Sequence, residues 1–499
     1  MKLKIISIGI ILIITSNMIV LADNTANNES SDHYKWKQNN EDGFGKVFNN
    51  APRGTAVFND TFIIGVGNYK NDSSIVANTP YRLRYFIENL VTVIHGEGFN
   101  SDGCEIWAYN GTSWWPLVGN YTNALMPSGF GNKNNLEVGD LIVYKGYLYA
   151  GVRNHYDGCQ IWRTRSINES WELVLKNGSG NLNNVWFTKF AIFKDQLYSG
   201  TQNYEDGLEM FRTDSGDKGD WECVIGKTAN VKSGFGQETG SNHFAWAMEV
   251  YDGYLYLGIH GGQVQSGQIW RTENGVDWEP FIAYRNTLGA WLHGAKLPAS
   301  FGLYATGAIR DMVVYKDELY VGTGAAHYLD VVVPFFGKLF TYSHRLQQLN
   351  PIKKMMTLGT NIWKYNSTAD KWTKVIAGNG PDYTDGGFGD GLNVYSWDMK
   401  VYDDYLYVGT MHMEHNELIF SRNSFFNWSV MLQDNGGHGE LWRYDGANWE
   451  PLVGKEKGLE FDDDYNIGIR EIRGYKDDLL LATMNINTGC EVWKLNCLE

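Results

Sequence analysis

The chain has 499 residues, of which 57 are Gly, 10 are Pro and 14% are aromatic. This composition excludes a disordered chain, which has few aromatic residues, and a coiled coil, which has few glycines. The formal net charge of −15 excludes the basic surface that nucleic-acid binding requires. Length alone suggests about three domains, although large all-β folds commonly override that rule.

Residues 1–22 have the features of a secretory signal peptide. Two lysines precede an apolar run over residues 5–14, and the stretch ends in Val20-Leu21-Ala22, with small residues where a signal peptidase cleaves. An uncleaved signal anchor is the competing interpretation. We therefore expect a secreted or cell-surface protein that contacts a membrane only peripherally or through such an anchor. Residues 23–32 are expected to form a flexible N-terminal segment.

Sequons and cysteines agree with an exported chain that is not a disulfide scaffold. The cysteines are few and odd in number, and neither a CxxC pair nor zinc-finger spacing occurs, so no structural zinc is expected. They are Cys104, Cys159, Cys223, Cys490 and Cys497. If the host glycosylates proteins, the acceptor sites are Asn28, Asn59, Asn71, Asn110, Asn120, Asn168, Asn177, Asn366 and Asn427.

An internal repeat recurs seven times along residues 33–499. Its frame is an apolar strand, a two-residue turn such as Asp-Gly, then Leu-Tyr-x-Gly, a variable loop, Gly-x-Ile-Trp-Arg, a second turn and a final Trp strand. The glycine of Leu-Tyr-x-Gly, replaced by Ala482 in the last copy, is Gly65, Gly151, Gly200, Gly258, Gly322 and Gly409. The aromatic residue of the Ile-Trp step is Trp107, Trp162, Phe211, Trp270, Trp363, Trp442 and Trp493.

Each copy is predicted to form four short strands, because apolar alternation is separated by hairpin-turn pairs. In the copy over 250–282, the first strand ends near Tyr251 and the fourth lies near Trp278. Between them we predict strands over 254–259 and 268–272. Four-stranded units repeated radially predict an all-β fold, a seven-bladed β-propeller over residues 33–499.

The two ends of the chain predict how the ring closes. The last copy stops soon after Trp493 and lacks its outer Trp strand, whereas residues 33–38 around Trp36 supply an unmatched one. A Gly-Phe-Gly loop at 43–45 follows it, as such loops follow other outer strands. We therefore expect the N-terminal strand to pair with the last blade and close the ring.

The repeat frame resembles kelch-type propellers in its Leu-Tyr-x-Gly step and its two Trp positions. Residues Thr272-Glu273-Asn274-Gly275-Val276-Asp277-Trp278 are also similar to the Asp box of sialidase-type repeats. The resemblance covers nearly the whole chain after residue 22 and implies a propeller architecture. Both families include enzymes and binding scaffolds, so the resemblance implies no single function.

Four long insertions are expected to lie on one face of the ring, where binding usually evolves. They cover approximately residues 68–102, 284–307, 326–359 and 411–439. Two of their aromatic residues, Trp291 and Trp428, are predicted ligand contacts. The alternative is that the insertions only pack over the ring as a cap.

Two columns at the start of the first strand of each copy are predicted to face the mouth of the central channel. One contains Gly54, Asp140, Lys189, Ala247, Asp311, Asp398 and Glu471. The preceding column contains Arg53, Gly139, Thr188, Trp246, Arg310, Trp397 and Arg470. Its arginines are similar to the cluster with which sialidases hold a carboxylate. The alternative is a set of ion pairs, Arg310 with Asp311 and Arg470 with Glu471, that line the channel.

These patterns favour a non-catalytic glycan- or protein-binding adhesion module. Its candidate ligand-binding residues are Arg53, Trp246, Arg310, Trp397, Arg470, Trp291 and Trp428, and the expected partner is an extracellular glycan or surface protein. The alternative is an extracellular glycoside hydrolase or lyase at the channel mouth, with Asp140, Asp311, Asp398 and Glu471 as candidate catalytic carboxylates. A third hypothesis is a self-assembling surface-layer component. Histidines occur in several loops without a paired ligand motif, so no metal or cofactor is predicted.

Overall fold

The computed structural model describes residues 34–69, 101–237, 242–261, 267–284, 287–302, 306–325, 359–376, 386–391, 393–412, 438–454, 466–485 and 488–497. Regular structure there is nearly all β-strand, with one α-helix, α1 (Thr287–Leu292). Single turns of 3₁₀ helix cover Asp42–Gly45, Ser128–Gly131, Asn177–Gly180, Ser233–Gly236, Ala299–Gly302 and Gly386–Gly389. In this part of the chain, the structure contains no helix with the length and apolarity to cross a membrane.

The chain begins with strand β1 (Tyr34–Gln38), and the strands after it pair antiparallel in runs of four, which we term units and number along the chain. Unit 1 is β2 (Asn49–Phe58), β3 (Thr61–Asn68), β4 (Glu105–Tyr109) and β5 (Trp114–Val118). Unit 2 is β6 (Glu137–Tyr144), β7 (Tyr147–Arg153), β8 (Gln160–Thr164) and β9 (Glu172–Leu175). Unit 3 is β10 (Trp186–Phe193), β11 (Gln196–Gln202), β12 (Met210–Thr213) and β13 (Glu222–Ile225).

The remaining strands continue the same pattern. Unit 4 is β14 (Phe244–Tyr251), β15 (Tyr254–His260), β16 (Gln268–Thr272) and β17 (Glu279–Ile282). Unit 5 is β18 (Thr306–Tyr315), β19 (Glu318–Ala325), β20 (Ile362–Asn366) and β21 (Lys371–Ile376). Unit 6 is β22 (Asn393–Tyr402), β23 (Tyr405–His412), β24 (Leu441–Tyr444) and β25 (Trp449–Val453). Unit 7 is β26 (Asn466–Tyr475), β27 (Asp478–Asn485), β28 (Glu491–Cys497) and β1.

The loop that enters a unit is locked onto that unit by an aromatic stack. Phe388 precedes unit 6 and stacks on Trp442, with ring centroids 4.6 Å apart and planes inclined by 9°. Phe388 has a φ of 60°, a left-handed conformation that costs a residue with a Cβ atom about 1–2 kcal/mol. The buried stack offsets this cost. The same stack recurs for Phe44 on Trp107, Phe130 on Trp162, Phe235 on Trp270, and Phe301 on Trp363.

An asparagine at the start of the unit hydrogen-bonds to the same loop. The Asn393 side-chain nitrogen donates to Gly387 O at 3.0 Å and to Glu440 Oε2 at 2.7 Å. Glu440 Oε2 in turn accepts from Trp442 Nε1 at 2.8 Å. Since buried polar groups need partners, this network satisfies the loop carbonyl and the indole together. The repeat therefore specifies both the strands and their entry loops.

Neighbouring units meet through single strand bridges and side-chain hydrogen bonds. Bridges join units 2 and 3, 3 and 4, 4 and 5, 5 and 6, and 6 and 7. The ladder of strands is not one closed sheet, because among the described residues unit 1 forms no strand pairing with another unit. Unit 1 instead accepts a hydrogen bond at Asp60 O from Tyr475 Oη, at 2.7 Å. Asn68 N of unit 1 donates to Leu136 O at 2.9 Å.

The structure therefore confirms an all-β, propeller-like architecture. The strands expected over 254–259 and 268–272 are Tyr254–His260 and Gln268–Thr272. The predicted pairing of the two chain ends is also present, with Trp36 opposite Leu495 in the β1–β28 register.

Candidate functional site

Each first strand has a β-bulge at the two columns that the sequence places around the channel. In unit 2 the register with β7 shifts between Val138 and Asp140, and in unit 6 the register with β23 shifts between Ser396 and Asp398. A bulge bends the strand and re-aims the side chains at that point. The two columns therefore leave the regular sheet and face the neighbouring units.

The carboxylates of the first column bind the backbone of the next unit. Because the first strand has no partner on its channel side, some of its N–H groups need acceptors from elsewhere. The pairs, which we term the carboxylate belt, are Asp140 Oδ2 with Phe190 N (2.9 Å), Asp311 Oδ2 with Met399 N (2.8 Å), Asp398 Oδ2 with Ile472 N (2.6 Å), and Glu471 Oε1 with Gly54 N (2.9 Å). The predicted catalytic carboxylates therefore hold the units together.

Two of these carboxyl groups share a lysine. Lys400 Nζ lies 2.9 Å from Asp398 Oδ1 and 3.8 Å from Asp311 Oδ2. Burial, together with the charges of Glu471 and Asp311, raises the pKa of Asp398 to about 7 despite Lys400. Burial also acts on Asp311, but Lys400 and Lys189 outweigh it and lower the pKa of that carboxyl. A proton donor and an ionised carboxylate thus lie side by side near pH 7.

Side chains of the second column, together with others of the same strands, bring cations and aromatic rings of different units into contact. The Arg53 guanidinium of unit 1 lies between Trp186 of unit 3 and Trp246 of unit 4, with its carbon 4.5 and 4.8 Å from the ring centroids. Arg53 Nε donates to Gly139 O of unit 2 at 2.9 Å. Arg53 therefore contacts units that are not its neighbours along the chain.

These contacts continue through the other units. The guanidinium carbon of Arg310 lies 4.1 Å from the ring centroid of Trp246 and 4.3 Å from that of Tyr395. Arg470 lies 5.4 Å from the Trp397 centroid, and its Nη2 donates to Glu137 Oε1 at 2.7 Å. Every unit contributes to this set, which we term the mouth ring: Arg53, Glu137, Arg153, Trp186, Trp246, Arg310, Tyr395, Trp397 and Arg470.

Glu137 is a fully buried carboxylate surrounded by arginines. Burial raises its pKa, but Arg470, Arg153 and Arg53 outweigh that effect and lower it, and the Tyr69 hydroxyl donates to the carboxylate. Glu137 is therefore ionised and balances part of the positive charge. Burial and the Arg470 charge lower the pKa of Arg53 from its ordinary value.

The ion pairs that the sequence suggested for Arg470 and Asp311 are wrong. Arg470 pairs with Glu137 of unit 2, while Glu471 accepts from the backbone of unit 1. Asp311 faces Lys400 of unit 6. The β-bulges at Arg310-Asp311 and Arg470-Glu471 interrupt the alternation of the strand, and there Asp311 and Glu471 each accept from a backbone N–H of the following unit.

Most of the predicted ligand-binding residues converge, and two do not join them. Arg53, Trp246, Arg310, Trp397 and Arg470 all lie in the mouth ring. Trp291 lies in α1, where 74% of its side chain is exposed, and no described contact links it to the ring. Trp428 lies outside the described residues.

Sequence reasoning missed part of the mouth ring. Glu137, Trp186 and Tyr395 each occupy the position three residues before the first column of their unit. A third aligned column at that offset was the signal that would have found them. Arg153 comes from the end of a second strand, and no such column marks it.

The histidines of the loops do not assemble a metal site in the part of the chain that the structure describes. No group of three or more His, Cys, Asp and Glu side chains there has the arrangement to hold a metal ion. His412 Nε2 lies 3.1 Å from Asp390 Oδ2. His155 is half-buried, and desolvation together with the charge of Arg153 lowers its pKa well below the ordinary value.

No protein family and no curated protein matches the chain. Among solved structures, YCF48 from Cyanidioschyzon merolae aligns with a TM-score of 0.46 and 8% identity, covering 92% of this chain and 98% of that chain. An α-L-arabinofuranosidase from Clostridium thermocellum gives 0.30 and 12%, with coverages of 67% and 96%. A β-xylosidase/α-arabinofuranosidase from a compost microbial metagenome gives 0.32 and 12%, with coverages of 58% and 90%. These are β-propeller proteins, and the likeness concerns architecture.

Proposed function

We propose that the chain is a secreted or cell-surface, closed seven-bladed β-propeller that binds an extracellular glycan or surface protein at its channel mouth without catalysis. Each unit is one four-stranded blade of the ring. The observation that carries the proposal is the mouth ring, to which every unit contributes a side chain. A site of this kind exists only when all units surround one axis.

Contacts between units 7 and 1 support closure of the ring. Tyr475 Oη donates to Asp60 O of unit 1 at 2.7 Å. The equivalent bond joins units 5 and 6, where Tyr315 Oη donates to Asp404 O at 2.8 Å. Glu471 and Gly54 continue the carboxylate belt between the same two units. Units 7 and 1 therefore share two of the side-chain contacts that join units in the middle of the chain, although no strand bridge pairs them among the described residues.

The carboxylate belt supports a role without catalysis. A glycosidase needs one carboxyl group to donate a proton and a second to act as nucleophile or base. Asp140 and Glu471 each bind the backbone of the next unit. Replacing their hydrogen bonds with substrate contacts would leave buried N–H groups without acceptors.

Aromatic side chains support binding. Trp246 and Trp397 of the mouth ring are half-buried, so part of each indole remains accessible. Indole faces pack well on the apolar faces of sugar rings and on protein partners. Trp291 adds a second, exposed aromatic surface on α1.

A glycan-array screen of residues 23–499, with product release measured on every bound glycan, tests the proposal. Binding without turnover, weakened by Trp246→Ala, is the expected result. Trp278→Ala is a matched control, because that indole packs in the core of unit 4, away from the mouth. Absence of binding to every glycan and to extracellular-matrix proteins would contradict the proposal.

A carbohydrate-active enzyme is the second candidate, and one observation favours it. Asp398 has a pKa of about 7 beside ionised Asp311, which is the acid-and-base pairing that glycoside hydrolysis uses. Turnover on the array, lost in both Asp398→Asn and Asp311→Asn, would favour this candidate. Product release that survives both substitutions would exclude this pair from catalysis.

Export from the cell rests on the sequence of residues 1–22. Expression of the full chain in a secreting host, followed by N-terminal sequencing of the protein in the medium, tests it. We expect a mature N-terminus at Asp23. Retention in the membrane with an intact N-terminus would favour the uncleaved anchor instead.

A further inference from the structure

We propose that the mouth ring holds an anionic group of a sugar, a carboxylate or a sulfate, on the guanidinium edge of Arg53. This inference rests on the proposed binding function and specifies its ligand. Arg53 is 8% exposed, so its guanidinium donors need acceptors other than bulk water. The hydrogen-bond donors of Arg53 that have no acceptor in the protein indicate which chemical group a ligand must supply.

The contacts of Arg53 leave its two terminal nitrogens without a hydrogen-bond acceptor among the described residues. Trp186 and Trp246 pack against the guanidinium at 4.5 and 4.8 Å. Only Nε has an acceptor among the described residues, Gly139 O at 2.9 Å. Aromatic faces attract the cationic charge but accept none of the in-plane N–H groups. The two terminal nitrogens therefore keep N–H donors that an added acceptor can use.

Charge at the mouth favours an anion. The mouth ring contains four arginines and a single carboxylate, Glu137. That carboxylate already accepts from Arg470 at 2.7 Å and lies 3.5 Å from Arg153 Nη1. Glu137 is thus already paired with Arg470 and Arg153, and the other two carboxylates whose charges act on Arg53, Asp140 and Glu471, accept backbone N–H groups in the carboxylate belt. Positive charge at a narrow mouth on a chain of net charge −15 concentrates small anions there, while the remaining surface repels polyanions.

The geometry selects the class of anion. A guanidinium edge donates two parallel hydrogen bonds, which match the paired oxygens of a carboxylate or sulfate. The indoles of Trp246 and Trp397 can pack on the sugar ring that bears the anionic group, because a pyranose presents apolar C–H faces to an indole. An acidic monosaccharide unit therefore satisfies the charge and the donors and adds apolar contact.

Four small probes test the proposal and separate its two anion sources. Galacturonate is paired with its neutral methyl ester, and galactose 6-sulfate with galactose. Binding is followed by calorimetry and by the fluorescence of the indoles beside Arg53. We expect the acidic member of at least one pair to bind about tenfold more tightly than its neutral partner, as for a charge-assisted hydrogen-bond pair. Equal binding within both pairs, or no binding of any acidic probe, overturns the proposal.

Arg53→Gln and Arg53→Lys are the informative variants. Both are expected to lose the preference for the acidic probe, Lys because its point charge lacks the fork of donors. Arg271→Gln is the matched control. Its guanidinium also lies over an aromatic ring, 4.3 Å from the Tyr254 centroid, but pairs with Glu279 at 2.6 Å away from the mouth. Folding of each variant is checked by circular dichroism, and Arg53→Lys keeps the charge if Arg53→Gln is unstable.

The outcomes distinguish this inference from the proposed function. Glycan binding that is insensitive to Arg53 and to ligand charge overturns the anion site and leaves the binding function in place. Binding of acidic probes with no glycan bound on the array supports the anion site and contradicts the wider function. A preference for the acidic probe that persists in Arg53→Lys overturns the assignment to the guanidinium edge.

Discussion

Arg53 of unit 1 and Trp246 of unit 4 contact each other, with the guanidinium carbon 4.8 Å from the indole centroid. No continuous ladder of paired strands connects unit 1 to unit 4 among the described residues. The contact depends on every unit between them keeping its place. The Arg53 contact therefore reports on how these units are packed together, and the hydrogen bonds of the carboxylate belt help to hold successive units in place.

Removing one carboxylate of the belt is expected to destabilise the fold. Asp140→Ala deletes the acceptor of Phe190 N, and a buried N–H left without a partner costs about 1–3 kcal/mol. Urea unfolding measures the change in the free energy of unfolding. Glu273→Ala, at an exposed turn position, is the control and should change it by less than about 0.5 kcal/mol. Equal effects of the two substitutions would contradict the structural role of the belt.

Asp398 is expected to make stability fall as pH rises towards neutrality. Its folded pKa is about 7, above the ordinary value of about 4, so between these values the folded chain binds more protons than the unfolded chain. The stabilisation from this group is therefore complete below about pH 4 and is lost as pH rises through about 7. Burial and Asp311 also raise the pKa of Glu249 to about 7, despite Lys400, which gives the same sign.

Urea unfolding at about pH 5 and about pH 8, the two sides of this window, measures the effect. The unmodified chain should be more stable at the lower pH. Asp398→Asn should reduce the difference, because the amide is neutral at both values and still accepts from Ile472 N. Glu273→Gln is the exposed control and should leave the difference in place. A pH dependence that Asp398→Asn does not alter would assign it to other groups.

At a loop phenylalanine we expect the glycine variant to be more stable than the alanine variant, and at a strand phenylalanine we expect the reverse. Phe388 has a φ of 60°, so Phe388→Gly relieves backbone strain that Phe388→Ala retains. Both lose the stack on Trp442 and the buried side chain, at about 3–5 kcal/mol for the alanine variant. We expect the glycine variant to be more stable than the alanine variant by about 0.5–1 kcal/mol.

Phe281 supplies the control for that comparison. It is buried in β17, an extended strand, and makes aromatic contacts with Tyr256 and Tyr365. There glycine only adds conformational freedom to the unfolded chain, so Phe281→Gly should be less stable than Phe281→Ala. Thermal unfolding of the four variants measures both differences. The same order at both positions would mean that the left-handed backbone of Phe388 carries no strain.

The repeat pattern predicted the strands well because its signals are local. Alternation and turn residues within one copy define β15 and β16 almost to the residue. The unmatched strand around Trp36 also predicted the partner of β28, since every other copy contains its own outer strand. Comparing copies thus gave one long-range pairing without any knowledge of the structure.

The site was less accessible to sequence because its contacts join different copies. Arg470 is next to Glu471 in the chain, yet its partner is Glu137 of another unit. The column of carboxylates was visible, but its acceptor role was not, because the N–H groups that it binds belong to the next unit. Only the geometry of the bulged first strands shows which oxygen faces which nitrogen.

Opening the joint between units 7 and 1 is expected to cost as much as opening a joint in the middle of the chain. Tyr475→Phe removes the hydrogen bond to Asp60 O, and Tyr315→Phe removes those to Asp404 O and Tyr444 O. Each substitution should lower the free energy of unfolding by about 0.5–1.5 kcal/mol, since only the hydroxyl is lost and the aromatic side chain stays buried. Tyr254→Phe, at a half-buried strand start, serves as the control.

Hydrogen exchange of β2 and β26 completes this test. In a closed ring, strands on the two sides of the 7–1 joint unfold only with the whole fold, so their amides should be as well protected as those of β18 and β22. Tyr475→Phe should lower protection throughout the ring by the same factor. Loss of protection confined to β2 and β26 would mean that the first and last units separate from each other independently of the remaining units.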